Sequence, residues 1–259
     1  MAIAGGRGGG PASPATQRVY LSMIRALARQ LGRDDATDTR VPRHEPGPPE
    51  ALTDTDYQNL LRVPDRRTLR GKRDHALLGI LGDCGLRAAE LRGLRARDLR
   101  RPRANGRHHQ LYVRGKGGKE RAVPVPAETM KALEAWLKVH PLARGVALLD
   151  DDELFVRIGR RAHEEPLPLS SEAVYRIVRK HSLAAGIPQR LAHPHALRTY
   201  WVTHALESNV PIHEVKAHLG HSDIRTTAAY GAVRPENIGS IADVLDRRHQ
   251  AARRSGRQR

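Results

Sequence analysis

Apolar residues recur at helical spacing near the beginning of the chain. Between residues 15 and 32 they lie three or four positions apart, the period of one helical face, and Gly32 ends the pattern. These apolar positions are Tyr20, Met23, Ile24, Leu27 and Leu31. Residues 1–14 are rich in Gly, Pro and Ala, which predicts disorder, and residues 33–51 are polar and Pro-rich, which predicts a linker.

A denser series of helical patterns follows the linker. Thr53 and Asp56 have the spacing of a capping box, with Asp in place of the usual Glu or Gln, and predict a helix start. One helix is then expected to stop near Gly85. A second helix is expected over residues 86–99, with Leu91 and Leu94 facing inward. Further helical patterns cover residues 127–140, 170–186, 193–208, 211–220 and 222–230.

Residues 109–126 show a different pattern. Leu111 and Val113 alternate with polar neighbours, as do Val123 and Val125, and a Gly/Lys-rich turn separates the two runs. This alternation predicts a β-hairpin. The fold class expected from the sequence is therefore mainly α with a small antiparallel hairpin or sheet, α+β.

The charge balance favours a polyanionic partner. The 45 Lys and Arg exceed the 28 acidic residues and give a net charge of +17, although the codon bias of a GC-rich genome could also raise the Arg content. Clustering is the stronger signal: residues 86–122 hold twelve basic side chains against three acidic ones, and the last fourteen residues hold six Arg and one acid. Aromatic residues make up only 3%, too few for stacking on single strands, so double-stranded DNA is the expected partner.

The remaining sequence properties bear on cellular location and on metal or cofactor binding. No apolar run reaches the roughly 18 residues of a membrane span. Cys84 is the only cysteine, which excludes an intrachain disulfide and fits a cytoplasmic location. His213 and His218 are five positions apart rather than the four of a helical zinc pair, and the GKGGKE segment lacks the spacing of a phosphate loop. We therefore expect neither a metal nor a cofactor.

Several polar residues are candidates for chemistry, although each alone has an ordinary explanation. His195 and Arg198 share a helical face, which a solvated surface would also explain, and Arg87 with Glu90 could be an intrahelical ion pair. A flexible cation is common in a turn such as that of Lys116, His221 could cap a helix, and Tyr230 could be a core aromatic.

Four segments in order change this interpretation. GLRAAEL, the hairpin RGKGGKERAVPV, HPHALR and LGHSDIRTTAAY together resemble the tyrosine recombinase (phage integrase) family over residues 52–234. The resemblance implies the catalytic-domain architecture of that family and site-specific recombination of DNA through a covalent 3′-phosphotyrosyl intermediate. It further implies that Tyr230 is the nucleophile and that Arg87 and Arg198 bind the phosphate.

The same resemblance implies roles for the other candidates. His195 matches the histidine assigned to proton transfer, His221 a residue that supports the phosphate and the nucleophile, and Lys116 the general acid for the leaving 5′-oxygen. Glu90 matches a carboxylate that supports this cluster. Thr199 departs from the family pattern, since many members carry His directly after the second arginine.

The resemblance also implies a domain organisation. We expect a disordered segment 1–14, the last helix of a core-binding domain with its linker at 15–50, a catalytic domain at 51–235, and a C-terminal helix with a basic tail at 236–259. In the family such a C-terminal segment packs on a neighbouring protomer in a tetrameric synapse; packing on its own domain is the alternative.

Two other functions remain open from the sequence. The short front end leaves room for a truncated DNA-binding protein of the same fold, or for an enzyme that relies on an accessory protein or a full-length recombinase. Relaxation of DNA like that of a type IB topoisomerase would use the same phosphotyrosyl chemistry.

Overall fold

The computed structural model describes residues 14–32, 50–102, 107–115, 118, 120–140, 148–158, 167–220 and 246. The chain divides into two units, Met1–Pro49 and Glu50–Arg259. In the first unit the predicted amphipathic helix is α1, Pro14–Gln30, and Gly32 adopts the left-handed conformation just beyond it. The second unit holds all the other described elements.

The second unit is mainly helical, which confirms the predicted fold class. Its helices are α2 (Asp54–Arg62), α3 (Leu69–Asp83), α4 (Ala88–Arg92), α5 (Ala127–Leu137), α6 (Ser171–Ala184), α7 (Pro194–Glu207) and α8 (Ile212–Leu219). Single turns of 3-10 helix lie at Ala96–Asp98 and Gln189–Leu191. Among the described residues, no helix is long and apolar enough to cross a membrane.

In the described part of the chain, two small antiparallel sheets accompany the helices. The predicted hairpin forms β2 and β3, and a short β1 adds a third strand beside β2. A second sheet pairs β4 with β5. The strands are β1 (Leu99–Arg100), β2 (Gln110–Arg114), β3 (Glu120–Pro124), β4 (Val156–Arg157) and β5 (Leu167–Pro168).

Helix α3 is the centre of the core. Nearly all its residues from Ala76 onward are buried, and it packs against α2, α4, α5 and α7. A buried ionic network also holds α6 on α3, because the Asp74 carboxylate contacts His181 Nε2 at 2.8 Å and Arg73 Nη2 at 2.7 Å. The core therefore packs α4 and α7 on α3, and the Asp74 network joins α6 to the same helix.

The helix starts follow the sequence signals. Thr53 and Asp56 form the predicted capping box of α2, Ser170 caps α6, and Pro194 occupies the first turn of α7. Proline suits that position because the first helical N–H groups have no intrahelical acceptor.

One predicted helix is much shorter than expected. The helix predicted over residues 86–99 ends at Arg92, although Leu91 and Leu94 are buried as predicted. The Leu94 carbonyl instead accepts a hydrogen bond from Leu154 N at 2.9 Å, and the Asp98 carboxylate accepts one from Arg95 N at 2.8 Å. A pairing with a segment sixty residues away thus replaces the next helical turn. The predicted helix at 222–230 and, apart from Asp246, the predicted C-terminal segment 236–259 lie outside the described residues.

Candidate active site

Arg87 stands at the junction of α3 and α4. After α3 the chain reverses through Gly85, whose φ is +62°. Arg87 then precedes the first residue of α4, and Glu90 accepts its backbone N–H at 2.9 Å and its Nη1 at 2.8 Å. The ion pair of Arg87 and Glu90 is therefore present, and Glu90 also accepts the backbone N–H of the residue before the helix, as in one half of a capping box.

Arg198 projects from α7 toward the same junction. It is only 3% exposed, and its guanidinium donates to Gly85 O at 2.6 Å and Leu219 O at 2.9 Å. A side chain at position 85 would meet Trp201 Cδ2 at 2.9 Å, so glycine is required for this close approach as well as for its φ. Burial, and after it the charge of Arg87, lowers the pKa of Arg198 to about 9, so Arg198 is charged at neutral pH.

The C-terminal end of α3 anchors helices α7 and α8. Trp201 Nε1 donates to Asp83 O at 3.0 Å, and His218 Nε2 contacts Cys84 O at 2.9 Å. The Trp201 and His218 rings stack with centroids 4.1 Å apart. Burial lowers the pKa of His218 to about 3, so its ring is neutral. Carbonyls that lack intrahelical partners thus hold α7 and α8 in place.

The C-terminal end of α8 collects three arginines. Arg121 Nε donates to His218 O at 2.6 Å, and Leu219 O accepts from Arg198 and, at 3.4 Å, from Arg87 Nη1. Positive groups are favoured here because the free carbonyls give a helix C-terminus partial negative charge. Gly220 then ends the helix in the left-handed conformation with φ +63°.

Arg121 is the member of this cluster that was not among the candidates from the sequence. It lies on β3 and binds both oxygens of Glu90, with Nη1 at 3.1 Å and Nη2 at 2.9 Å. The alternation of the strand could have identified it. Arg121 is two and four positions before the inward residues Val123 and Val125, so its side chain is expected on the same face. A charged side chain that faces the core requires a buried partner. Burial raises the pKa of Glu90, but the hydrogen bonds from Arg121 and Arg87 outweigh it and lower the pKa.

His195 lies in the first turn of α7, on the accessible side of the cluster. Its ring stacks on that of His193 with centroids 6.4 Å apart, and His193 Nδ1 accepts the N–H of Ala196 at the helix start. Partial burial, and then the charges of His193 and Arg198, lower the pKa of His195. His195 is therefore neutral at physiological pH and can accept a proton.

A cavity of 540 Å³ opens on these side chains. The start of α6 forms its opposite wall. The lining residues are Leu86, Arg87, Ala88, Ser171, Glu172, Tyr175, His193, Pro194, His195 and Arg198. Two guanidinium groups and a neutral imidazole on one wall suit an anionic group such as a phosphate diester, because the arginine fork matches two of its oxygens.

The structure therefore brings together four of the seven candidates: Arg87, Glu90, His195 and Arg198. Lys116, His221 and Tyr230 lie outside the described residues. In the sequence, Lys116 directly follows Gly115, the residue after β2, and His221 directly follows Gly220, which ends α8 beside the arginines.

Comparison with known proteins gives consistent matches. The model of the Phage integrase family matches residues 50–237. Tyrosine recombinase XerD of Xanthomonas axonopodis pv. citri is 33% identical over 88% of this chain and 75% of its own length. Tyrosine recombinase XerC of Alcanivorax borkumensis is 33% identical over 90% of this chain and 71% of its own length.

Solved structures share the fold. XerH site-specific recombinase bound to difH substrate has a TM-score of 0.64 at 20% identity, covering 92% of this chain and 68% of that chain. A lambda integrase dimer bound to a COC′ core site has a TM-score of 0.57 at 18% identity, covering 82% of this chain and 57% of that chain.

Proposed function

The chain belongs to the phage integrase family and is a tyrosine recombinase, an enzyme of site-specific DNA recombination; we propose that the cavity beside Arg87 and Arg198 holds the phosphodiester that it cuts. The observation that carries this proposal is the fixed position of the two guanidinium groups. Arg198 is held by two backbone carbonyls and Arg87 by Glu90, so neither has to reorganise when negative charge develops on phosphorus.

The proposed reaction uses the phenol of Tyr230. Its oxygen bonds to phosphorus and the bond to the 5′-oxygen breaks, which leaves a 3′-phosphotyrosyl link and a 5′-hydroxyl. The 5′-hydroxyl of a second strand can reverse this step without ATP, since the phosphodiester energy is conserved. An ordinary phenol has a pKa of about 10, so the nucleophile needs nearby cations and a proton acceptor.

The other candidates complete the proposed cycle. His195, kept neutral by its lowered pKa, takes part in proton transfer from the phenol. Lys116 protonates the leaving 5′-oxygen, and His221 supports the phosphate and Tyr230. Glu90 holds the arginines without reacting. These side chains supply the positive charge, so the proposed reaction requires no metal.

DNA is the partner that the charge supports. The net charge of +17 favours contact with duplex phosphates, and the structural relatives include recombinases in complex with DNA. We place the catalytic domain at residues 51–235, with 1–14, 15–50 and 236–259 as the flanking segments. The relatives at 33% identity are recombinases, so neither a topoisomerase nor a non-reacting DNA-binding protein is favoured.

The proposed assembly is a tetramer on DNA, linked through the C-terminal segment. Within that segment Asp246 accepts the N–H of Ala127 at the start of α5, at 2.8 Å, and lies 3.7 Å from His108 Nδ1. These contacts are made within one chain. A neighbour, or an accessory or full-length recombinase, that bound Asp246 itself would have to displace them.

Covalent capture on DNA tests this function. Random-sequence duplexes are incubated with the protein in EDTA, stopped with detergent, and the DNA that stays attached to protein is sequenced. The recovered site is then rebuilt with a nick close to the cleavage position. The short fragment that carries the new 5′-hydroxyl then diffuses away, so the reaction cannot reverse and the adduct accumulates. We expect an adduct that survives denaturation and chelation; DNA binding without any adduct would contradict the proposal.

The role of Lys116 gives a separate prediction. Lys116→Ala should slow adduct formation on ordinary DNA on the order of 10²- to 10⁴-fold, the usual contribution of a general acid. A substrate with sulfur in place of the leaving 5′-oxygen should restore most of the rate, because a thiolate leaves without protonation. Rates on both substrates are measured by quenched sampling on denaturing gels. An equal loss on both would exclude Lys116 as the acid.

A further inference from the structure

We propose that Arg121 is a positioning residue for DNA cleavage: it holds the Glu90 carboxylate 3.7 Å from Arg198 and so prevents a direct hydrogen bond between them. This inference rests on the proposed function, because it assumes that Arg198 acts on the phosphate. It concerns a residue that does not line the cavity and acts only through its neighbours.

The contacts of Arg121 use the shape of its guanidinium. Nη1 and Nη2 bind the two oxygens of Glu90, while Nε donates to the carbonyl of His218 on α8. Both side chains are almost closed to solvent, at 13% exposure for Arg121 and 6% for Glu90. A planar fork satisfies three acceptors at once, which the single ammonium of lysine cannot reproduce in the same directions.

The position of Glu90 shows what Arg121 prevents. Oε2 of Glu90 lies 2.9 Å from Arg121 Nη2 but also 3.7 Å from Arg198 Nη1. Without Arg121, this buried carboxylate would keep Arg87 at Oε1 but Oε2 would lose its guanidinium partner, and a short movement would bring Oε2 to Arg198. A buried carboxylate is destabilised when it loses one of its charged partners, which favours that movement. Glu90 would then neutralise the guanidinium that the proposed reaction requires for the phosphate.

Arg121 also links the hairpin to the end of α8. It lies on the strand that follows the turn of Lys116, and a side chain on Gly220 would meet its Cδ and Nη1 at 3.3 Å. The residue after Gly220 is His221. Arg121 is therefore the contact through which β3 holds the point where the His221 segment leaves α8.

The test combines loss with rescue. Wild type, Arg121→Met, Glu90→Gln and the double variant are compared in single-turnover adduct formation on the nicked substrate at saturating DNA. We expect Arg121→Met to lower the rate constant roughly tenfold to a hundredfold, the scale of a small misplacement. The double variant should be faster than Arg121→Met and close to Glu90→Gln, since an uncharged amide cannot neutralise the Arg198 guanidinium.

Two further variants separate positioning from stability. Arg114 lies on the same hairpin, and its partner Glu120 is exposed. The Arg114→Met variant should therefore keep the wild-type rate constant. Arg121→Lys keeps the charge, so it should fold where Arg121→Met does not, and should still be slowed. The fraction of active protein is read from the adduct yield, and DNA affinity from a binding titration, which should stay near that of the wild type.

The outcomes are distinguishable. A wild type that forms no adduct overturns the proposed function and this inference with it. If the wild type reacts and Arg121→Met or Arg121→Lys keeps the wild-type rate constant and loses only adduct yield, this inference alone is overturned. Arg121 would then have a structural role only. A double variant as slow as Arg121→Met also overturns it.

Discussion

Tyr230→Phe should abolish the covalent adduct while leaving DNA binding intact. The substitution removes one oxygen atom and keeps the aromatic ring, so any packing role of Tyr230 is largely preserved. No other group can then form the phosphotyrosyl bond in the proposed reaction. The measurement is the adduct on the nicked substrate after denaturation, with DNA affinity determined in parallel. Loss of both adduct and affinity would indicate a folding defect instead.

Tyr175→Phe is the informative comparison for this experiment. Tyr175 lines the cavity together with Arg87 and Arg198, and it is 40% exposed, so its phenol is the competing candidate among the described residues. It lies on α6, held rigidly on α3 through His181. We expect Tyr175→Phe to retain the adduct. If its adduct is lost while that of Tyr230→Phe persists, the assigned nucleophile is wrong.

Local signals in the sequence predicted most of the elements around the site. Helix starts can be predicted from Thr53, Ser170 and Pro194, because these residues act within one helical turn. Thr53 and Ser170 accept a free N–H of the first turn, and Pro194 has no N–H to satisfy. The hairpin followed from strict alternation. In contrast, the end of α4 and the short strand β1 depend on pairing with distant segments, such as Leu94 with Leu154, which no local pattern encodes.

The candidate site was predictable only in part, for a similar reason. Arg87, His195 and Arg198 were identified through short segments that resemble a family, but those segments do not show what holds the side chains. The acceptors that hold Arg198 are two main-chain carbonyls, that of Gly85 just after α3 and that of Leu219 at the end of α8. Main-chain acceptors carry no residue-type signature, so this support is visible only in three dimensions.

Arg198→Lys should reduce the rate of adduct formation roughly 10²- to 10³-fold, as expected for loss of a fixed donor to the developing charge. The rate is sensitive to this substitution because two backbone carbonyls fix the orientation of the Arg198 guanidinium. Lysine keeps the positive charge, so DNA affinity should change little. However, one ammonium cannot reach Gly85 O, Leu219 O and a phosphate together. The experiment is single-turnover cleavage at saturating DNA, with thermal unfolding measured on the same protein.

Stability and rate should respond together in this variant but not in its control. A buried carbonyl left without its donor costs about 1–3 kcal/mol, so Arg198→Lys should unfold at a lower temperature. Arg190→Lys changes the same residue type where the partner, Glu50, is exposed, and should alter neither the rate nor the unfolding temperature measurably. If Arg198→Lys unfolds earlier yet cuts DNA at the wild-type rate, charge alone is sufficient at this position. The fixed fork held by the ends of α3 and α8 would then serve the fold and not the reaction.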